Sequence, residues 1–199
     1  MIEFVLAPAF TAWGTPMTWL EILAFVLSVA MVIGNQRQWI VAWPLAISSS
    51  FLYGLFFWHG QLFGLAVLQL FFILLAGWGW LQWARGVQGQ ALPVQRMGRR
   101  GWQASLLTIA IGGPLLGYFL DHHTSSPLPY WDALPTVASV VATVMLGRKF
   151  IENWPFWIGI NAVSVGLFAL QGYWLTVILY TAFIPMAVWG WRLWAKAIQ

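Results

Sequence analysis

In the run NWPFWIGIN, Trp154, Trp157 and Asn161 stand three and four residues apart. On an α-helix that spacing gathers them on one narrow face, with Ser164 and Phe168 continuing the stripe. The face starts aromatic and turns hydrogen-bonding about two turns in. Aromatic rings supply stacking surface, and a carboxamide offers both a donor and an acceptor to a flat polar ring. Pro155 falls in the first turn, where its missing N–H does no harm. An amide at that depth in hydrocarbon is costly unless something satisfies it, so either a neighbouring helix or a ligand must do so.

A second set of residues matches the first. Trp43, Ser50, Tyr53 and Phe57 line the corresponding face of an earlier apolar run, with Ser50 in register with Asn161. Gln69, in AVLQLFF, lies near the middle of another run, and its register partner is Tyr180 in VILYTAF. Isolated amides also bridge helices, for about 0.6–2 kcal/mol, and serines bond back to their own backbone. Backbone bonding is the preferred reading for Ser48 and Ser49. For Asn161 and Gln69 a ligand is preferred, because both sets place wet residues at corresponding depths.

Other chemistry is thin. No Asp, Glu, Lys, Arg or His lies near the middle of any apolar run, so the serines and tyrosines there have no base to activate them. Asp121, His122 and His123 are expected in a short exposed loop and lack the further ligands of a metal site. Cysteine is absent, which removes disulfides and thiolate chemistry. Neither cofactor nor enzymatic activity is expected. Ion-driven transporters bury a titrating group on their route, so its lack favours an uncoupled facilitator of a neutral or delocalised solute.

The elements that must hold these residues are membrane spans. The 199-residue chain is 61% hydrophobic and only 7% charged, with 16 tryptophans suited to interfacial belts. Seven runs can cross a bilayer core of about 30 Å: Trp19–Gly34, Trp39–Trp58, Leu62–Trp83, Trp102–Leu120, Pro129–Leu146, Trp154–Leu170 and Trp174–Trp194. Residues 1–18 are expected to form a retained interfacial segment, since no basic leader precedes the apolar stretch. All nine basic residues fall on one side of a seven-span plan, and Glu3, Asp121, His122 and His123 on the other. The C-terminus is therefore expected in the cytoplasm and the N-terminus outside. The net charge of +4 reflects topology rather than nucleic-acid binding. Arg96 to Arg100 could touch anionic membrane lipid, though the topological role is preferred. Gly112-Gly113-Pro114 is read as a bend in the fourth span.

The chain also repeats itself. WGWLQWAR, ending at Arg85, returns as WGWRLWAK, ending at Lys196. The 111-residue offset aligns Arg37 with Arg148, Trp43-Pro44 with Trp154-Pro155 and Phe72 with Phe183, without a gap. Spans one to three (19–85) and five to seven (129–199) read as copies of one three-helix unit. The stretch 86–128, a basic loop and an odd fourth helix, lets both copies point the same way. Parallel repeats of this kind usually flank a transport path. A seven-helix ligand sensor is the reading from another class; a signalling domain or a long cytoplasmic tail would be expected of it, and Ala195 to Gln199 follow the last span here.

The pattern Trp154-x-x-Trp157-x-x-x-Asn161 resembles the WxxWxxx(N/D) signature of the Pnu vitamin transporters, most nearly their nicotinamide riboside branch. GYWLTVILY, Gly172 to Tyr180, and Gln69 followed by aromatics add to the resemblance. It runs from Trp19 to the C-terminus, is strongest over Glu152–Trp194 and is weak in the fourth span. It implies an all-α fold of seven transmembrane helices in a 3+1+3 arrangement, similar to the SWEET sugar transporters. It further implies facilitated diffusion of nicotinamide riboside across the bacterial inner membrane, trapping by a cytoplasmic kinase, and a homotrimer. Trp154 and Trp157 would wall the site, Asn161 would take the ring substituent, and Gln69 and Tyr180 would complete the pocket. Thiamine and riboflavin, also flat, are the alternative cargoes within that family.

Overall fold

A computed structural model describes residues 8–12, 15–59, 63–124, 128–170, 172 and 174–198. Seven α-helices follow a short hairpin: α1 (Trp19–Gln36), α2 (Ala42–His59), α3 (Phe63–Arg85), α4 (Arg99–His123), α5 (Pro129–Gly147), α6 (Asn153–Leu170) and α7 (Trp174–Ala197). Each expected span falls on one of them. Five, α3 to α7, are long and apolar enough to cross a membrane by length and composition. In α1 the apolar stretch Ile22–Gln36 is shorter, and α2 is diluted by Ser48, Ser49 and Ser50. Ahead of α1, residues 8–12 (β1) and 15–18 (β2) pair antiparallel, with Ala12 opposite Thr15. Much of the expected interfacial segment, including Glu3, lies outside the described residues, as do Leu62 and Tyr173.

The chain forms two compact units, Met1–Ala84 and Arg85–Gln199. In the first, Ser49 donates to the Ala24 carbonyl at 3.1 Å and meets Ser28 at 2.8 Å, tying α2 to α1. Ser49 thus bonds to backbone as expected, though the carbonyl belongs to the neighbouring helix. Ser48 is exposed and makes no such bond among the described residues, so that reading does not extend to it. In the second unit the hydroxyls of α5 bond back one turn: Thr136 to Asp132, Ser139 to Pro135 and Thr143 to Ser139, all at 2.7–2.8 Å. Such bonds let hydroxyls sit in an apolar helix without an orphaned donor.

Within each unit the same turn appears at the 111-residue offset. Gln38 has φ 58° and Lys149 has φ 52°, both left-handed without being glycine. Trp39 N–H donates to the Gly34 carbonyl at 2.8 Å, and Phe150 N–H to that of Met145 at 2.9 Å. Helices α2 and α6, which follow these turns, begin and end at corresponding residues.

Three stretches differ from expectation. First, α4 continues past Leu120, its expected end, through Asp121, His122 and His123, so that trio forms a last helical turn rather than a loop. His122 Nδ1 lies 2.9 Å from the Tyr118 carbonyl and 3.8 Å from the Asp121 carboxylate, all on an exposed surface. Second, α4 is helical through Pro114, and the glycines read as part of a bend also serve close approach. A Cβ on Gly112 would meet Val137, and one on Gly113 would meet Leu134, both on α5. The expected linker helix is thus packed within the second unit. Third, the basic connector before α4 is not a plain loop. Gln95 N–H donates to the Lys149 carbonyl and Ile151 N–H to the Gln95 carbonyl, each at 3.0 Å. The Gln95 amide reaches the Arg148 carbonyl at 3.1 Å, and Met97 N–H donates to the Glu152 carboxylate at 3.0 Å. Val94, Met97 and Ile151 are buried under this contact.

Candidate functional site

Helix α6 carries the central residues. Asn161 is 3% exposed and Ser164, one turn on, 4%. Neither side chain makes a hydrogen bond to another described residue. This sets them apart from Ser28, Ser49 and Thr136, whose hydroxyls bond to backbone. A buried amide left with neither partner nor water would cost about 1–3 kcal/mol. A ligand able to donate and accept at once would recover it.

The next turn of α6 is aromatic. Phe168 stacks on Tyr180 of α7 with ring centroids 5.3 Å apart and planes 25° from parallel, and Phe183 meets Tyr180 edge-on at 6.1 Å. The Tyr180 hydroxyl has no hydrogen-bond partner among the described residues. Trp157 is half-buried on the same helix as Phe168.

Trp154 has a different setting. Its ring is 3% exposed, meets Trp194 edge-on at 5.5 Å, and lies over Gly190, where a Cβ would overlap it. The first unit repeats the joint: Trp43 is 2% exposed, meets Trp83 edge-on at 5.4 Å, and covers Gly79. The indole N–H groups of both Trp43 and Trp154 lack a partner among the described residues. The rings of these two expected wall residues are therefore engaged by their own helix pair.

In the first unit Tyr53 stacks on Phe57, with centroids 6.1 Å apart and planes 21° from parallel. Gln69 of α3 sits opposite Gly54 of α2, and Ser50 is half-buried. Each unit thus stacks one tyrosine on the equivalent phenylalanine, taking it from α2 in the first unit and from α7 in the second. Ser164 carries little weight in the sequence, although its register partner Tyr53 marks the position as facing the same way. Asn153 has no distinguishing spacing at all; it is fully buried, with its amide N–H donating to the Phe150 carbonyl.

The family model described as nicotinamide mononucleotide transporter matches residues 18–196. The chain belongs to that family. Among its curated relatives, the nicotinamide riboside transporter PnuC of Escherichia coli (strain K12) is 26% identical over 217 residues, covering 94% of this chain and 90% of the relative. The riboflavin/roseoflavin transporter RibM of Streptomyces davaonensis is also 26% identical, over 191 residues, covering 94% of this chain and 89% of its own. A crystal structure of the vitamin B3 transporter PnuC has the same fold, with a TM-score of 0.75 at 22% identity, over 90% of this chain and 82% of that one. Family membership and five long apolar helices make this a multi-pass membrane protein of a vitamin transporter family.

Proposed function

We propose that the chain is a uniporter for nicotinamide riboside, working by alternating access across the bacterial inner membrane. The observation that carries this reading is the buried Asn161 amide with no hydrogen-bond partner among the described residues. A carboxamide on a flat ring offers the donor and acceptor it lacks, and a pyridinium suits aromatic faces such as Trp157 and Tyr180. In the first unit, Gln69, Ser50 and Tyr53 are the equivalent polar and aromatic set. A phosphate would call for arginine, and α6 contains none, which favours the nucleoside over its mononucleotide. Helices α1–α3 and α5–α7 are taken as two parallel repeats with α4 between them in sequence, a 3+1+3 plan, with the N-terminus outside. A homotrimer and trapping by a cytoplasmic kinase complete the proposal.

Uptake into proteoliposomes tests it, with nicotinamide riboside, its mononucleotide, thiamine and riboflavin compared side by side. Saturable riboside uptake is expected. Preference for riboflavin would support the second reading, which the likeness to RibM favours. Accumulation against a gradient without a kinase would refute uniport.

A further inference from the structure

We propose that the connector ahead of α4 is a clamp on the α5–α6 turn, and that Glu152 is a positioning residue for α6. Four hydrogen bonds of 3.0–3.1 Å join Gln95 and Met97 to Arg148, Lys149, Ile151 and Glu152. Those last four residues immediately precede α6, the helix that carries Trp157, Asn161 and Ser164. Met97 also anchors an apolar cluster with Val141 and Met145, against which Trp102, Phe150 and Phe156 pack. Phe156 lies on α6 itself, so the clamp grips the helix by its first turn as well as by the residues before it.

The corresponding turn of the first unit is open. Trp39, Ile40 and Val41 are 44–50% exposed, where the clamped turn buries Ile151 to 2%. Two turns of matching geometry therefore differ in what covers them. The clamp fixes the start of α6 and, through helix rigidity, the depth and azimuth of Asn161. Glu152 touches no proposed substrate group; it acts by holding Met97 N–H with a charge-assisted bond.

The role of Glu152 in uptake rests on the transport reading, whereas the clamp itself does not. The chain has no cysteine, so introduced pairs react without background. Gln95 and Phe150 face each other in a bridge, a spacing that a disulfide spans. In the Gln95→Cys/Phe150→Cys variant, oxidation should give nearly complete cross-linking in membrane vesicles, whatever is transported. Low yield would overturn the clamp. For riboside uptake, Glu152→Ala should raise the apparent KM about fivefold at unchanged protein level, with Glu152→Gln between it and the parent. Cross-linking in the Glu152→Ala background should restore the KM, and reductant should reverse the rescue. An unchanged KM in folded Glu152→Ala, or loss of uptake on cross-linking, would overturn the proposal. Failure of the parent chain to take up riboside would instead count against the transport reading.

Discussion

At the residue scale, Asn161 makes a paired prediction. Asn161→Ala should weaken riboside binding by about 1–3 kcal/mol, since the ligand's polar group loses its partner. The same change should leave thermal stability equal or higher, because the parent buries an amide that bonds to no described residue. An amide that merely joined helices would give the reverse, and titration calorimetry with thermal melts separates the two. Lys149 makes another. Burial pushes its ammonium below the ordinary lysine value of 10.5. The unfolded chain then holds more protons than the folded one as pH approaches 10.5, so stability rises with pH in that window. Melting temperatures should climb as pH rises towards 10.5 more in the parent than in Lys149→Gln, which carries the residue found at position 38.

At the element scale, the tryptophan–glycine joints govern how α6 meets α7 and α2 meets α3. Gly190→Ala or Gly79→Ala would drive a methyl into an indole, and each should destabilise by about 1–3 kcal/mol. Gly159→Ala, with open space around it, should be neutral or slightly stabilising. Thermal unfolding in detergent measures all three. The spans were legible because long apolar runs bounded by tryptophan and arginine have few other solutions in a bilayer. The repeat was legible because Trp43, Gly79 and Trp83 recur as Trp154, Gly190 and Trp194. The joint itself was not, since a tryptophan three residues from another reads equally as wall or as packing. The connector escaped too: Gln95 and Met97 have no period, and their bonds come from a turn over fifty residues away.

At the scale of the whole molecule, the lack of a titrating group near the middle of the apolar runs predicts transport without ion coupling. Riboside uptake should be unaffected by an imposed proton gradient in proteoliposomes, and a several-fold stimulation would refute this. Family membership follows from a match over residues 18–196, and the fold from the PnuC crystal structure. Of the candidate site, Asn161 and Tyr180 were named from spacing and register, and both have unpaired polar groups among the described residues. Their surroundings were hidden because sequence does not say which hydroxyls bond back to backbone.

The two indole joints have a mechanical corollary. A ring edge resting on bare backbone, with its N–H unspoken for, is held by dispersion and has no hydrogen-bond angle to lose. Such a seat sets the spacing of the two helices by shape alone: the notch admits an indole edge and nothing bulkier behind it.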